Sequence, residues 1–580
     1  MTDKSRIQRL LSVARSTRPL PAADGSVFFA SNRGGHTQVY RLTAPGTEPE
    51  LVVATQTRMV PHAHTPLGLL VREDRGGDEV WQLGLVEDGA YRPLTRDARA
   101  IHQSVTLHPD RRSVGLGWNP DGQGDMVLGT LDLDGGVLTR WAEPGGFWRW
   151  DAWSPDGARA VVSQARGTPN DAYILERTGK LTRILPGALR VLAVDWIETG
   201  IVVLTDLDRD FLALALVDPD RPDAVARWLI DEEHDVEGAV LSPDRTRFAV
   251  VVNEGVFDGV RVVGLDGTVT KVELPRGIVI SDHTGDPGYH VAWSADGSRL
   301  FIGWERPTLP AEIYEWPGGA RWTFTSDLPQ GLVEPAETAY RSFDGLTVPA
   351  MLYRVDGRPR PAVVAFHGGP EGQWRGGYVP AAQMLAAVGI DVFMPNVRGS
   401  TGYGIKFQKL DDKVLRWDSV KDGCEAARHL KRSGLATRTA AMGGSYGGFM
   451  TLAVLVEDPD LWDAGVDTVG IADWHTFFSN MPPWRGVLRM DEYGDPNGAE
   501  SDFLREISPI HRASRIKAPL LVIHGRNDPR VPVGESIQIA EAVPESELLI
   551  FDDEGHGVAK IDNQVTANSR IVDFLVAHLL

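Results

Sequence analysis

Thr439-Ala440-Ala441-Met442-Gly443-Gly444-Ser445-Tyr446-Gly447-Gly448-Phe449-Met450 decides the fold of the C-terminal part of the chain. Residues 439–442 read as an apolar strand. Gly443 to Gly447 spell G-x-S-x-G, and residues 448–457 read as an apolar helix. A serine on so tight a strand-to-helix turn has a strained backbone, and glycines around it remove side chains that would clash. The helix start turns backbone N–H groups toward any negative charge that develops beside that serine. Ser445 is therefore the candidate nucleophile.

Outward from this elbow, from about residue 325, apolar strand runs alternate with helical stretches. Strands are expected over 362–366, 391–394, 439–442, 520–523 and 548–551, and helices over 378–388, 419–433 and 448–457. Such alternation predicts βαβ units and a mostly parallel sheet, an α/β-hydrolase domain over 326–580. A serine needs a base, and the base needs an orienting acid. In this fold the order after the serine is acid, then histidine. Asp528 follows the strand over 520–523, and His556, between Gly555 and Gly557, follows the strand over 548–551. His524 is the competing base, but it lies at a strand end, where a structural role is expected; Asp552 and Asp553 read as loop carboxylates. The oxyanion hole needs two donors. The Tyr446 N–H is one, and Gly369 in His367-Gly368-Gly369-Pro370 is the candidate for the other. Acyl transfer through Ser445, with His556 as base and then acid, calls for no metal or organic cofactor.

From about residue 20 to 325 a different theme returns. Apolar strands are broken by turns at Asp24-Gly25, Thr65-Pro66, Pro109-Asp110, Pro155-Asp156-Gly157, Glu198-Thr199-Gly200, Pro243-Asp244 and Ala295-Asp296-Gly297. The spacing is about 40–50 residues, the period of propeller blades. Trp153-Ser154-Pro155-Asp156-Gly157 and Trp293-Ser294-Ala295-Asp296-Gly297 are nearly the same. Seven copies predict a seven-bladed β-propeller over 19–325, with an inserted loop around 276–287; a β-sandwich array is the alternative. Residues 1–18 are expected to hold a short helix that packs on the hydrolase domain.

The chain has 580 residues, 42% of them apolar, and a net charge of −20. That balance disfavours nucleic acid, which needs stripes of Lys and Arg. It suits an acidic soluble surface, or a field that draws cationic substrates. The one cysteine, Cys424, rules out an intrachain disulfide and is expected in a helix as a core residue. Neither a secretory signal nor an apolar run long enough to cross a membrane is expected, so a cytoplasmic location is the default.

Taken together, His367-Gly368-Gly369-Pro370, the run from Asn396-Val397-Arg398-Gly399 to Gly404, the elbow, Asn527-Asp528 with Val531-Pro532, and Gly555-His556-Gly557 resemble the prolyl oligopeptidase family of serine peptidases, nearest its acylaminoacyl-peptidase-like branch. The resemblance spans nearly the whole chain. It implies cleavage of short peptides or aminoacyl amides, a propeller that limits access by size, and a possible homo-oligomer. It also implies an apolar pocket for the side chain before the scissile bond, with Trp474, Phe477, Phe478, Trp484 and Val531 as candidates. Arg485 or Arg489 could hold a substrate carbonyl. Glu371, directly after the His-Gly-Gly-Pro turn, departs from many relatives, and a carboxylate there could pair with a free α-amine. An esterase on the same machinery, and an inactive scaffold that only binds, are the rival readings.

Overall fold

The computed structural model describes residues 3–75, 78–122, 124–164, 168, 170–281, 288–481 and 483–580; of 121, 483, 484, 487 and 488 it describes the backbone alone. The chain divides into two compact units, one of residues 14–326 and one of residues 1–13 together with 327–580.

Residues 14–326 form seven antiparallel four-stranded sheets. Each of the seven turns named above joins the first two long strands of one sheet. Ser16–Pro21 and Val27–Ser31 flank Asp24-Gly25, for example, and Val291–Trp293 and Leu300–Arg306 flank Ala295-Asp296-Gly297. The two near-identical copies also do identical work. Ser154 Oγ donates to Asp156 Oδ1 at 2.6 Å and Ser294 Oγ to Asp296 Oδ1 at 2.5 Å, clipping the turn. The indole N–H of Trp153 reaches the Thr106 carbonyl of the preceding sheet at 3.1 Å, and that of Trp293 reaches Val240 at 3.0 Å. Apolar clusters shared between neighbouring sheets continue the chain of contacts. In the last of them Phe301 and Ile313 of the seventh sheet pack with Val27, Phe29, Tyr40 and Leu42 of the first. The ring closes, which excludes an open sandwich array. Its ends also meet: Thr325 Oγ1 donates to the Ala14 carbonyl at 3.3 Å.

The seventh sheet is irregular. Ile278–Val279 and Val291–Trp293 both pair with Leu300–Arg306, so the innermost strand is split. The inserted loop expected around 276–287 falls on this split, and residues 282–287 lie outside the described residues.

The other unit is built on one sheet of eight strands: β1 (Ala336–Arg341), β2 (Thr347–Tyr353), β3 (Arg360–Phe366), β4 (Asp391–Pro395), β5 (Ala436–Gly444), β6 (Ala464–Thr468), β7 (Leu520–Gly525) and β8 (Ser546–Phe551). Their order is β1-β2-β4-β3-β5-β6-β7-β8. β3 to β8 run parallel, whereas β1 and β2 join antiparallel at one edge. The central residues of most parallel strands are apolar because helices cover both faces of such a sheet. Cys424 lies in this core on the helix Arg416–Arg432, fully buried.

Helix α1 (Lys4–Leu11), capped by Asp3, belongs to this unit. It buries Ile7 and Leu10, and the Leu10 carbonyl accepts from Tyr378 Oη at 3.1 Å. Sequence alone puts residues 14–18 with this helix. They fall in the propeller unit instead, because Ser16–Pro21 pairs with Val27–Ser31 as the first strand of the ring. Among the described residues no helix is long and apolar enough to cross a membrane.

Candidate active site

Five loops leave the C-terminal ends of β3, β5, β6, β7 and β8. Because these strands are parallel, the loops gather at one edge of the sheet, where open α/β sheets bind their ligands. His367 to Pro370 follow β3, Ser445 follows β5, Asp528 follows β7 and His556 follows β8.

Ser445 sits at φ +59°, ψ −121°, as the N-cap of α2 (Tyr446–Glu457). A left-handed φ at a non-glycine residue stores strain that the surroundings must hold. The hold is visible here. Ser445 N–H donates to the Thr468 carbonyl at 2.9 Å, and the Ser445 carbonyl accepts from Gly448 and Phe449. The glycines are sterically required. A Cβ on Gly443 would lie 2.2 Å from the Gly447 carbonyl oxygen, one on Gly447 2.3 Å from that of Phe366, and one on Gly448 2.3 Å from Asp467 Oδ1.

The loop after β3 packs against the elbow: a Cβ on Gly368 would stand 3.6 Å from Ser445 Cβ. Gly369 has φ +138°, and a Cβ there would meet the Glu371 backbone at 2.9 Å. His367 is buried, its Nε2 2.8 Å from Ser400 Oγ, and burial pushes its imidazole down to about 4, so the ring is neutral at pH 7. Among the described residues neither the Gly369 N–H nor the Tyr446 N–H is taken by a hydrogen bond.

His556 Nδ1 lies 2.7 Å from Asp528 Oδ2. The Asp528 side chain is fully buried, whereas the imidazole is 16% exposed. Burial alone would raise the Asp528 carboxyl. The nearby His524, the hydrogen bond from His556 and the Val531 N–H together outweigh it and hold the group well below the usual range, so it stays ionised. An ionised carboxylate on Nδ1 leaves Nε2 as the nitrogen free to take and return a proton. Asp552 and Asp553 are loop carboxylates, paired at 2.5 Å with Arg526 and Lys560 respectively.

Trp474, Phe477 and Phe478 all lie on α3 (Trp474–Asn480). Trp474 and Phe477 are buried and pack with Phe449 and Tyr493, and Val531 is buried beside Asp528. Arg485 and Arg489 lie on α4 (Pro483–Tyr493), and the Trp484 side chain lies outside the described residues.

Glu371 accepts from Gln408 Nε2 at 2.8 Å and neighbours a charged cluster that sequence does not reveal. Glu492 is 2% exposed and neither carboxyl oxygen has a hydrogen-bond donor among the described residues. Arg416 stands 3.8 Å away and Arg489 3.9 Å. Burial first, and the nearby Glu371 second, push the Glu492 carboxyl well up. Arg416 also pairs with Asp411 at 3.1 Å and lies over the rings of Tyr446 and Tyr493. No local pattern ties 411, 416 and 492 together; only the fold does. Among the described residues no three His, Cys, Asp or Glu side chains gather as a metal site would require.

Residues 378–580 match the prolyl oligopeptidase family. Dipeptidyl aminopeptidase BIII of Pseudoxanthomonas mexicana is 38% identical over 227 residues, 37% of this chain and 33% of that protein. The acylamino-acid-releasing enzyme of Arabidopsis thaliana is 28% identical over 247 residues, 40% of this chain and 31% of that protein. The chain thus spans about a third of the length of these curated relatives. A solved Mycobacterium tuberculosis puromycin-hydrolyzing peptidase superposes with a TM-score of 0.84 at 22% identity, covering 100% of this chain and 96% of that one. The fold is accordingly a seven-bladed β-propeller with a C-terminal α/β-hydrolase domain.

Proposed function

From a chain that carries a prolyl oligopeptidase family domain, we propose a serine exopeptidase that cleaves short peptides or aminoacyl amides through an acyl-enzyme on Ser445. The observation that carries this is the His556–Asp528 hydrogen bond of 2.7 Å on the same sheet edge as the strained Ser445 elbow.

In this mechanism Ser445 Oγ attacks the scissile carbonyl as its proton passes to His556 Nε2. Asp528 steadies the resulting imidazolium. The Gly369 and Tyr446 N–H groups receive the oxyanion, each such donor being worth roughly 10²–10³ in rate. The C–N bond then breaks, and His556 gives its proton to the leaving amine. Water, deprotonated by the same imidazole, attacks the acyl-enzyme and frees Ser445 with the acid product. The partly buried Phe478 would receive the side chain before the scissile bond, backed by the buried Trp474, Phe477 and Val531, and Arg485 would hold a substrate carbonyl.

A free α-amine is the expected substrate end. Glu371 follows the oxyanion loop, and its charge adds to burial in opposing ionisation of Glu492; an arriving ammonium would offset that charge. A dipeptidyl aminopeptidase and a puromycin-hydrolyzing peptidase among the similar proteins accord with such a substrate.

The test is a panel of aminoacyl, acylaminoacyl and dipeptidyl anilides, with matched esters, on the wild type and on Glu371→Gln. Free-amine anilides should be the better substrates, and Glu371→Gln should lower their kcat/KM about tenfold while sparing acylated ones. Equal losses on both classes reject the amine anchor. Turnover of esters alone rejects the peptidase.

A further inference from the structure

The Asp528 carboxylate serves two imidazoles. Its Oδ1 accepts from the N–H groups of Arg530 and Val531 at 2.7 and 2.9 Å. Its Oδ2 faces His556 Nδ1 at 2.7 Å and, from the other side, His524 Nε2 at 3.4 Å. His524 is fully buried at the end of β7. Its Nε2 also lies 3.0 Å from the Val531 carbonyl oxygen. A carbonyl only accepts, so Nε2 carries a proton; that N–H is hydrogen-bonded to Val531 O, and Asp528 Oδ2 stands beside it at 3.4 Å as a longer charge contact. Ser536 Oγ, 2.6 Å from Nδ1, holds the other side of the ring.

A second acid stands behind this carboxylate. Asp467 on β6, beside β7, is fully buried, and no side chain donates to its oxygens among the described residues. It is wedged under the elbow: a Cβ on Gly448 or Gly470 would lie 2.3 or 2.1 Å from its Oδ1. Burial pushes its carboxyl up to about 7, and His524 is the first group that opposes the rise. Buried Glu535, on the helix Gly534–Ala542, also faces it, but is itself held by the N–H groups of Ala472 and Asp473 and by Thr476 Oγ1. On the His556 loop, buried Glu554 accepts from the Ala559 and Lys560 N–H groups and from Asn563. The remaining charges of that loop are the exposed Asp552–Arg526 and Asp553–Lys560 pairs.

We propose that His524 is a positioning residue for the reaction: by holding its Nε2–H beside Asp528 Oδ2 opposite His556, it fixes the carboxylate and sets how tightly the His556 ring holds its proton. This rests on the Ser445–His556–Asp528 assignment above. The N–H of His524 takes up part of the Asp528 charge. Remove it, and more of that charge acts on His556, which then keeps its proton to higher pH. Ser536 makes His524 a better donor when it donates to Nδ1, since linked hydrogen bonds polarise one another.

The experiment follows kcat/KM against pH, with kcat and KM resolved, for an aminoacyl anilide. It uses the full chain as wild type, His524→Leu, His524→Gln, Ser536→Ala and Asp528→Asn. In His524→Leu the acid limb should move up by about half a pH unit or more, with kcat down roughly tenfold and KM little changed. His524→Gln, which keeps an N–H, should recover most of both. Ser536→Ala should move the limb the same way by less, and being a small change it serves if His524→Leu does not fold. A folded His524→Leu, or Ser536→Ala in its place, with the wild-type limb overturns the proposal. Unimpaired turnover by Asp528→Asn would instead overturn the assignment beneath it.

Discussion

Tyr493 Oη donates to the carbonyl oxygen of Gly369 at 2.9 Å, tying α4 to the loop that follows β3 across a sequence gap of 124 residues. The buried Tyr493 ring also stacks on Tyr446, so one phenol touches both residues proposed to supply the oxyanion donors. Tyr493→Phe keeps the ring and loses the hydroxyl. A hydrogen bond of this kind nets about 0.5–1.5 kcal/mol. The expected result is a fall in kcat of about 3–10-fold at nearly constant KM, read by steady-state kinetics; a rise in KM alone would place the phenol in substrate binding.

Asp528→Asn leaves the shape of the site but cannot hold the imidazolium. Its kcat should drop about 10⁴-fold. Ser445→Ala should lose acyl-enzyme chemistry altogether, and a fluorophosphonate probe should label the wild type and not this variant. Labelling of Ser445→Ala would point to another nucleophile.

Gly447→Ala is a packing test. The new Cβ would stand 2.3 Å from the Phe366 carbonyl oxygen, a fixed backbone atom. Overpacking of this sort costs about 1–3 kcal/mol. Urea unfolding should show a lower midpoint with an unchanged slope, and activity should fall as the elbow shifts.

Stability should depend on pH near neutrality through Asp467 and Glu535. Burial pushes each carboxyl up to about 7 in the folded chain. Unfolded, each loses its proton near pH 4. Between those values the folded state binds more protons, so stability falls as pH rises from about 4 to 7 and then levels off. One group contributes a slope of at most about 1.4 kcal/mol per pH unit. Asp467→Asn should flatten the urea midpoint across pH 5–8; an unchanged slope would mean that the carboxyl stays ionised.

Sequence showed most clearly those features that local chemistry writes into adjacent residues. The elbow is one, since its glycines answer contacts a few ångströms away. The Trp-Ser-x-Asp-Gly turns are another: Ser154 and Asp156 clip the very turn they occupy, and the Trp153 link to the preceding sheet recurs at Trp293, three sheets further on. Less was legible where partners are distant. β1, β2 and β6 were not anticipated; β1 is largely exposed and β2 sits at the antiparallel edge, while β6 is short, and its Asp467 breaks an apolar run. His524 was expected to be structural from its place at a strand end. Its second face toward Asp528 emerges only when the loop after β7 folds back. The Arg416–Glu492 cluster has no sequence pattern, because its members come from opposite ends of a long excursion.

The division of the chain carries a consequence for synthesis. Residues 1–13 share a unit with 327–580, so the whole propeller is made between the two pieces of that unit. At about 5–20 residues per second, α1 leaves the ribosome on the order of half a minute before the strands it must join. The propeller can close its ring while the hydrolase is still being translated. Ile7 and Leu10 meanwhile have nowhere to dock. The apolar stripe of an otherwise basic helix therefore waits uncovered for that interval.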